Sequence, residues 1–248
     1  MNFDRPLDEE ERLKAQRRER FSNTEGEKRY QQLVAARAKR RQQLTAQGVL
    51  HQQGSAASGS RLTGTCTLMC PEFEREERQV KNSIAPQEAF PGTRQADPAR
   101  TVKTFHRSAA GNEEPLPEDL RTPETLLRTI DYLVDVVIAA DQELQSCHGF
   151  VRDRTRSIRQ DFTIQNIRDQ TTVAACERIA RFHIVSLHIL CGNKDFAEHQ
   201  DMEQLRNTLK TLIELYDDQR KARIACANEA EFYAYYIVSH LRDPDAKR

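Results

Sequence analysis

Two cysteines four positions apart, Cys66 and Cys70, stand just ahead of Pro71 and a run of alternating Glu and Arg. A thiolate pair is half of a zinc or cluster site, but a closed site needs further sulfur or imidazole ligands. The nearest candidates, His106 and Cys147-His148, are remote, and a third cysteine at position 73 is replaced by Phe73. The pair therefore reads as structural thiols. His106, beside Arg107 and Ser108, has no partner in view for acid–base work, and His183 and His188 fall within an apolar helical pattern, as core or edge histidines do. Arg152, Arg156 and Arg159 are spaced i, i+4, i+7. Guanidinium forks in such a row suit carboxylates or phosphates. Local pairing with Asp153, Asp161 and acids of neighbouring helices is the alternative and carries more weight. Lys28, Arg29, Arg37, Lys39, Arg40 and Arg41 form a basic run without an acid, which is either a nuclear-import or nucleic-acid patch or a solvated helix face. No nucleophile–base pair, phosphate-binding glycine loop or H-E-x-x-H is present, so neither an enzyme nor a cofactor is expected.

The elements that position these residues are helical throughout. Residues 7–47 are rich in helix formers but carry too few apolar side chains for a buried stripe, and Thr24-Glu25-Gly26-Glu27 reads as a capping box opening a second segment. This arm, 1–47, is predicted to be partly disordered and tethered to the rest of the chain by a flexible Gly/Ser-rich linker, 48–63. Residues 64–121 hold a short charged helix opened by Pro71 and running to about Lys81, then a proline-broken extended stretch, 82–99. Residues 122–248 read as about five helices. The first is capped by Thr122 and spans 123–145, and a second comes after the break at Gly149 and ends near Ile167. A third, apolar nearly all round, begins at Thr171 or Thr172 and stops at Gly192-Asn193. A fourth spans 201–218, and a last one opens on an Asn228/Glu231 capping box with aromatics from Phe232 to Tyr236 at an exposed end. One central all-apolar helix among amphipathic neighbours predicts an all-α, irregular α-solenoid stack.

Composition agrees. In 248 residues, apolar residues make up 38% and charged residues 31%, with no Trp and zero formal charge, which excludes a uniformly basic nucleic-acid binder. Six scattered cysteines and an acidic, polar N-terminus point to cytosol or nucleus, and no apolar run is long enough to span a membrane.

The string Gly64-Thr65-Cys66-Thr67-Leu68-Met69-Cys70-Pro71-Glu72-Phe73-Glu74-Arg75-Glu76-Glu77-Arg78 resembles the signature of the suppressor-of-actin/GANP (germinal-centre-associated nuclear protein) family. Three further blocks continue in order: Val102 to Gly111 with Glu114 to Arg121, Leu126 to Leu133, and Asp153 to Phe162. The resemblance implies a non-enzymatic scaffold of the nuclear-pore-associated TREX-2 mRNA-export complex, with a body that is the N-terminal helical part of a PCI-type domain. It implies a PCI-domain partner, a small acidic disordered subunit and, through the arm, a DEAD-box RNA-dependent ATPase. The basic run of the arm and the Arg152 row offer an alternative, a nucleic-acid-binding adaptor with weak RNA binding. Short family members imply a centrosomal role instead. Cys66, Met69, Cys70, Pro71, Phe73, Arg75, Phe105, His106 and Arg107 are the residues expected to meet partners, together with the Arg152, Arg156 and Arg159 row. The winged-helix module that continues the body in the family is expected to be missing after Arg248, in a fragment or a short paralogue.

Overall fold

The computed structural model describes residues 9–50, 62–107, 113–140 and 143–241, with side chains from residue 25 onward. Its helices are α1 (Glu9–Ala46), α2 (Glu72–Val80), α3 (Pro123–Tyr132), α4 (Leu144–Ile164), α5 (Gln170–Ile189), α6 (Glu198–Lys221) and α7 (Glu229–His240). Short 3₁₀ turns lie at Pro86–Glu88 and Pro117–Asp119, and α3 continues into a π-helical turn at Leu133–Ile138. Among the described residues there is no β-strand, only two isolated bridges. The chain forms two compact units, one from Met1–Ala57 with Glu72–Thr101, the other from Ser58–Pro71 with Val102–Arg248.

In the first unit, α1 is one uninterrupted helix, so Thr24 to Glu27 is interior helix and not a new start. An isolated helix this polar is marginal in water, and α2 supplies the support it needs. Arg29 bonds Glu72 and reaches Glu76, Tyr30 and Phe73 rings lie 5.7 Å apart, and the Arg37 guanidinium sits 4.5 Å over the Phe73 ring. Gly48, at a φ of 71°, ends α1, and Val49 and Leu50 fold their amides back onto the Leu44 carbonyl. Leu44 and Leu50 are both buried, the apolar contact that accompanies such glycine-ended helices. The rest of the expected linker, 51–61, lies outside the described residues. Stretch 82–99, expected to be extended, is instead a compact loop. Ala89 bridges Ala96, Gln79 holds both the Ala96 amide and the Arg94 carbonyl, and buried Glu88 pairs with buried Arg78.

The second unit has two apolar clusters that share α5. Leu126, Ile130, Leu133, Val137, Val151, Ile158 and Phe162 meet Ala175, Ile179 and Phe182 on one side. On the other, Val173, Cys176 and Ala180 meet Leu205, Leu209, Leu212, Tyr216 and Phe232. That sharing is what an all-round apolar α5 requires, and it makes the stack all-α and solenoid-like. Several boundaries differ from expectation for local reasons. Thr122 caps α3 by accepting the Thr125 amide, as its type predicts. Gly149 lies inside α4, not at a break, in open space with nothing near an added Cβ. Asp169 caps α5 by accepting the amides of Thr171 and Thr172, so the helix opens at Gln170. Asn228 and Glu231 do not form a capping box. The Asn228 amide donates to buried Glu177 at 2.7 Å, and Glu231 is held by Arg181. Phe232 is fully buried rather than at an exposed end, and the exposed apolar residues of α7 are Ile237 and Val238.

Candidate partner-docking surface

The residues of the signature are tied down by backbone before any side chain acts. Thr65 N donates to Pro117 O, Cys66 N to Leu120 O and Thr122 N to Cys66 O, a parallel pairing of Cys66 with Arg121. Gly64 donates to Gln165 Oε1 at 2.8 Å. A Cβ at Gly64 would meet Leu120 O at 2.5 Å, so only glycine permits this approach. Further along, Lys103 N donates to Met69 O, and Met69 packs on the first apolar cluster. Burial raises the Cys66 thiol pKa, and Cys70 and Pro71 are buried. The C-x3-C pair thus seats the chain. Thr65, Thr67, Leu68 and Glu72 are the members left exposed.

Helix α4 carries two polar faces. Its inner face holds Asp161, fully buried, which accepts from Lys103 Nζ at 2.6 Å on one oxygen and from Arg121 Nε at 2.8 Å on the other. Arg121 Nη2 donates to Ser157 Oγ, and Gln165 Nε2 to Arg121 O. Buried charges are tolerable when paired and fully hydrogen-bonded, and this node joins the signature, the 101–107 segment and α4 at one place. Sequence reasoning did not single out Asp161, Lys103, Arg121 or Gln165 as a unit. The one hint was an acid out of register with a row of arginines. A second buried node was also missed: Asp201 on α6 accepts His148 Nε2 and His183 Nδ1, each at 3.0 Å. These hydrogen bonds outweigh burial and hold the Asp201 carboxyl down at about 2, whereas burial lowers the His183 pKa. His188, by contrast, is exposed.

The outer face of α4 carries the arginine row, and here the expected local pairing does not occur. Asp153 is taken by Arg154 and by the Phe105 amide, and Asp161 by the inner node. Among the described residues no carboxylate lies within ion-pair distance of Arg152, Arg156 or Arg159 (each half-buried), whereas Arg168, Arg178, Arg181 and Arg220 all have one. Arg156 stacks 3.8 Å over the Phe105 ring, and Gln160 Nε2 donates to His106 O. The structure therefore brings Phe105, with exposed His106 and Arg107, beside the row on one surface. His106 Nε2 lies 2.9 Å from Thr104 Oγ1, a local contact. Phe73, and Arg75, which is buried and paired with Glu76, belong to the other unit. In the basic run, Arg29 and Arg37 are engaged by α2 as described, whereas Lys28, Lys39 and Arg40 are exposed and Arg41 is half-buried.

Among the described residues no group of three or more His, Cys, Asp or Glu is placed to hold a metal ion, and no helix is long and apolar enough to cross a membrane. Fold and surface together define an all-helical stack in which residues 64–71 are an internal anchor and α4 presents cations without counter-charge among the described residues. The SAC3/GANP family model matches residues 69–248. The chain is 47% identical over 239 residues to SAC3 family protein 1 of Schizosaccharomyces pombe, covering 94% of this chain and 23% of that protein. It is 36% identical over 189 residues to Protein xmas of Drosophila melanogaster, covering 73% of this chain and 9% of that protein. It is 32% identical over 191 residues to SAC3 family protein B of Arabidopsis thaliana, covering 73% of this chain and 11% of that one. The chain belongs to the SAC3/GANP family, and it spans less than a quarter of the length of each of these relatives.

Proposed function

We propose that this chain is a helical docking module of a non-enzymatic nuclear mRNA-export scaffold of TREX-2 type, acting at the nuclear pore. Family membership supports the export role. The observation that carries the docking role is the α4 row, Arg152, Arg156 and Arg159, left without carboxylates among the described residues, beside Phe105, His106 and Arg107. Arginines with aromatic neighbours are enriched at protein interfaces, and an acidic partner supplies the missing counter-charge. A PCI-domain subunit and a small acidic disordered subunit are the partners this reading favours, with α1 as the site for an RNA-dependent ATPase.

Affinity capture of the tagged chain from nuclear extract, with and without nuclease, tests the reading. Recovery of a PCI-domain protein despite nuclease, and its loss in the Arg152→Glu, Arg156→Glu double variant with folding intact, is the expected result. Recovery of nucleic-acid-dependent proteins alone would transfer the role to an RNA adaptor built on the exposed cations of α1. Normal capture by the double variant would remove the row from the interface.

A further inference from the structure

Arg159 differs from its neighbours in the row. It lines a small cavity of about 110 Å³ between α4, α5 and α6, together with Phe162, Asn166, Cys176, Thr211 and Leu215. Among the described residues its guanidinium makes one hydrogen bond, from Nη1 to Gln204 Oε1, at a long 3.5 Å. The thiol beside it gives no compensation, because burial pushes Cys176 up to about 11 and keeps it neutral at physiological pH. Burial also pulls the Arg159 pKa down, and neighbouring Arg156 adds to the effect. Arg159 is thus a half-buried guanidinium with no carboxylate within ion-pair distance among the described residues, a cation that a partner's carboxylate would stabilise.

The cavity's size and its donors narrow the ligand. Its volume is a few times the roughly 30 Å³ share of one water, and far below the several hundred Å³ of a small-molecule pocket. It admits the end of one side chain and excludes a nucleoside. The hydroxyls around it have already spent their protons, since Thr163, Thr172 and Thr211 donate to the carbonyls of Arg159, Ile167 and Asn207. The donors left are the Arg159 fork, the exposed Asn166 amide at the rim and the part of the exposed Arg168 guanidinium that its ion pair with Asp218 leaves over. Two planar oxygens can be served by one fork, and because Asp218 already offsets the charge of Arg168, one carboxylate matches the charge of Arg159 whereas a doubly charged phosphate exceeds it. Phe162, Ile167 and Leu215 give the walls an apolar character that suits the methylene stem of an acidic side chain.

We propose that this cavity is a socket for a single carboxylate side chain, Glu or Asp, inserted by an acidic segment of a protein partner, with Arg159 as its anchor. This rests on the reading of α4 as a protein-docking face and names the chemistry of the partner at its most buried point. Arg152 and Arg156 steer, and the socket fixes register.

The test is fluorescence anisotropy at low salt with two probes, a labelled hexaglutamate peptide and a labelled dodecauridine. The wild-type chain is expected to bind the peptide, and Arg159→Gln to weaken it by about tenfold or more, the range for a charge-assisted bond out of water. A second variant, Thr211→Glu, places a carboxylate at the socket from within. It is expected to raise the melting temperature and to compete with the peptide, a readout that needs no ligand. Unchanged peptide affinity in Arg159→Gln with no rise in melting temperature for Thr211→Glu would overturn the socket, even if Arg152 and Arg156 still governed partner capture. Binding of dodecauridine through Arg159, or of neither probe, would overturn it as well. A failure confined to the Arg152 and Arg156 double variant would instead strike the wider docking face and leave the socket standing.

Discussion

Substituting Asp161 by alanine removes the acceptor for Lys103 Nζ at 2.6 Å and for Arg121 Nε at 2.8 Å, and strands two buried cations together. Breaking a buried pair from one side costs about 3–5 kcal/mol, because the partner left behind has neither water nor counter-charge. At about 2–4 °C per kcal/mol for a chain of this size, the melting temperature should fall by roughly 6–20 °C. Urea denaturation monitored by far-UV circular dichroism gives the same quantity isothermally. The node also makes a second, sharper demand. Adding Lys103→Met to the Asp161→Ala background removes one stranded charge, so the double variant should be more stable than the single one, a non-additivity expected only of residues in one network. A loss below about 1 kcal/mol, the level of an exposed ion pair, would refute the reasoning, as would a double variant worse than either parent.

Gly64→Ala places a methyl 2.5 Å from Leu120 O and 2.8 Å from Gln165 Oε1. It should cost about 1–3 kcal/mol and speed hydrogen exchange at the Cys66 and Thr122 amides, and protection equal to wild type would mean that the signature is seated elsewhere. The His148–Asp201–His183 node sets a pH dependence. The folded pKa of His183 lies below its ordinary value, so the unfolded chain takes the proton first. Its contribution is complete above about pH 6.5 and is lost as pH falls through the folded value, at up to about 1.4 kcal/mol per unit. Asp201 acts with the same sign further down, from about 4 to about 2. Stability should therefore fall on acidification, with a flatter slope in His183→Phe, and a rise toward acid would contradict this assignment.

What could be read from the sequence was what depends on local pattern. Thr122 with Pro123 fixed the start of α3, the all-round apolar run fixed α5 as the shared centre, and Pro71 with its succeeding acids fixed α2. What escaped depends on distance along the chain. Nothing local distinguishes Asn228 as a cap from Asn228 as a ligand for Glu177, because the competing acceptor sits 51 positions away. The same holds for Lys103 and Asp161, 58 positions apart. The arginine row was visible by its spacing, but its lack of carboxylates among the described residues was not. That lack arises because Asp161 turns inward and Asp153 is consumed by Arg154 and the Phe105 amide.

The Gly64 amide bonds to Gln165, 101 residues further on. On a ribosome adding about 5–20 residues per second, the signature emerges some 5–20 seconds before its last fastener exists. Until Lys103 and then Leu120 to Thr122 emerge, Met69 and Cys66 have no seat, and the intervening 72–101 segment is free to close with α1 first, since both belong to one unit. The order of synthesis thus favours completing the smaller unit while Gly64 to Pro71, the first half of the signature, waits as an open end. The same connectivity governs where the chain can be cut. A fragment started at residue 69, where the family match begins, would keep every helix of the stack and lose Gly64 and Cys66, two of the residues that hold the signature in it.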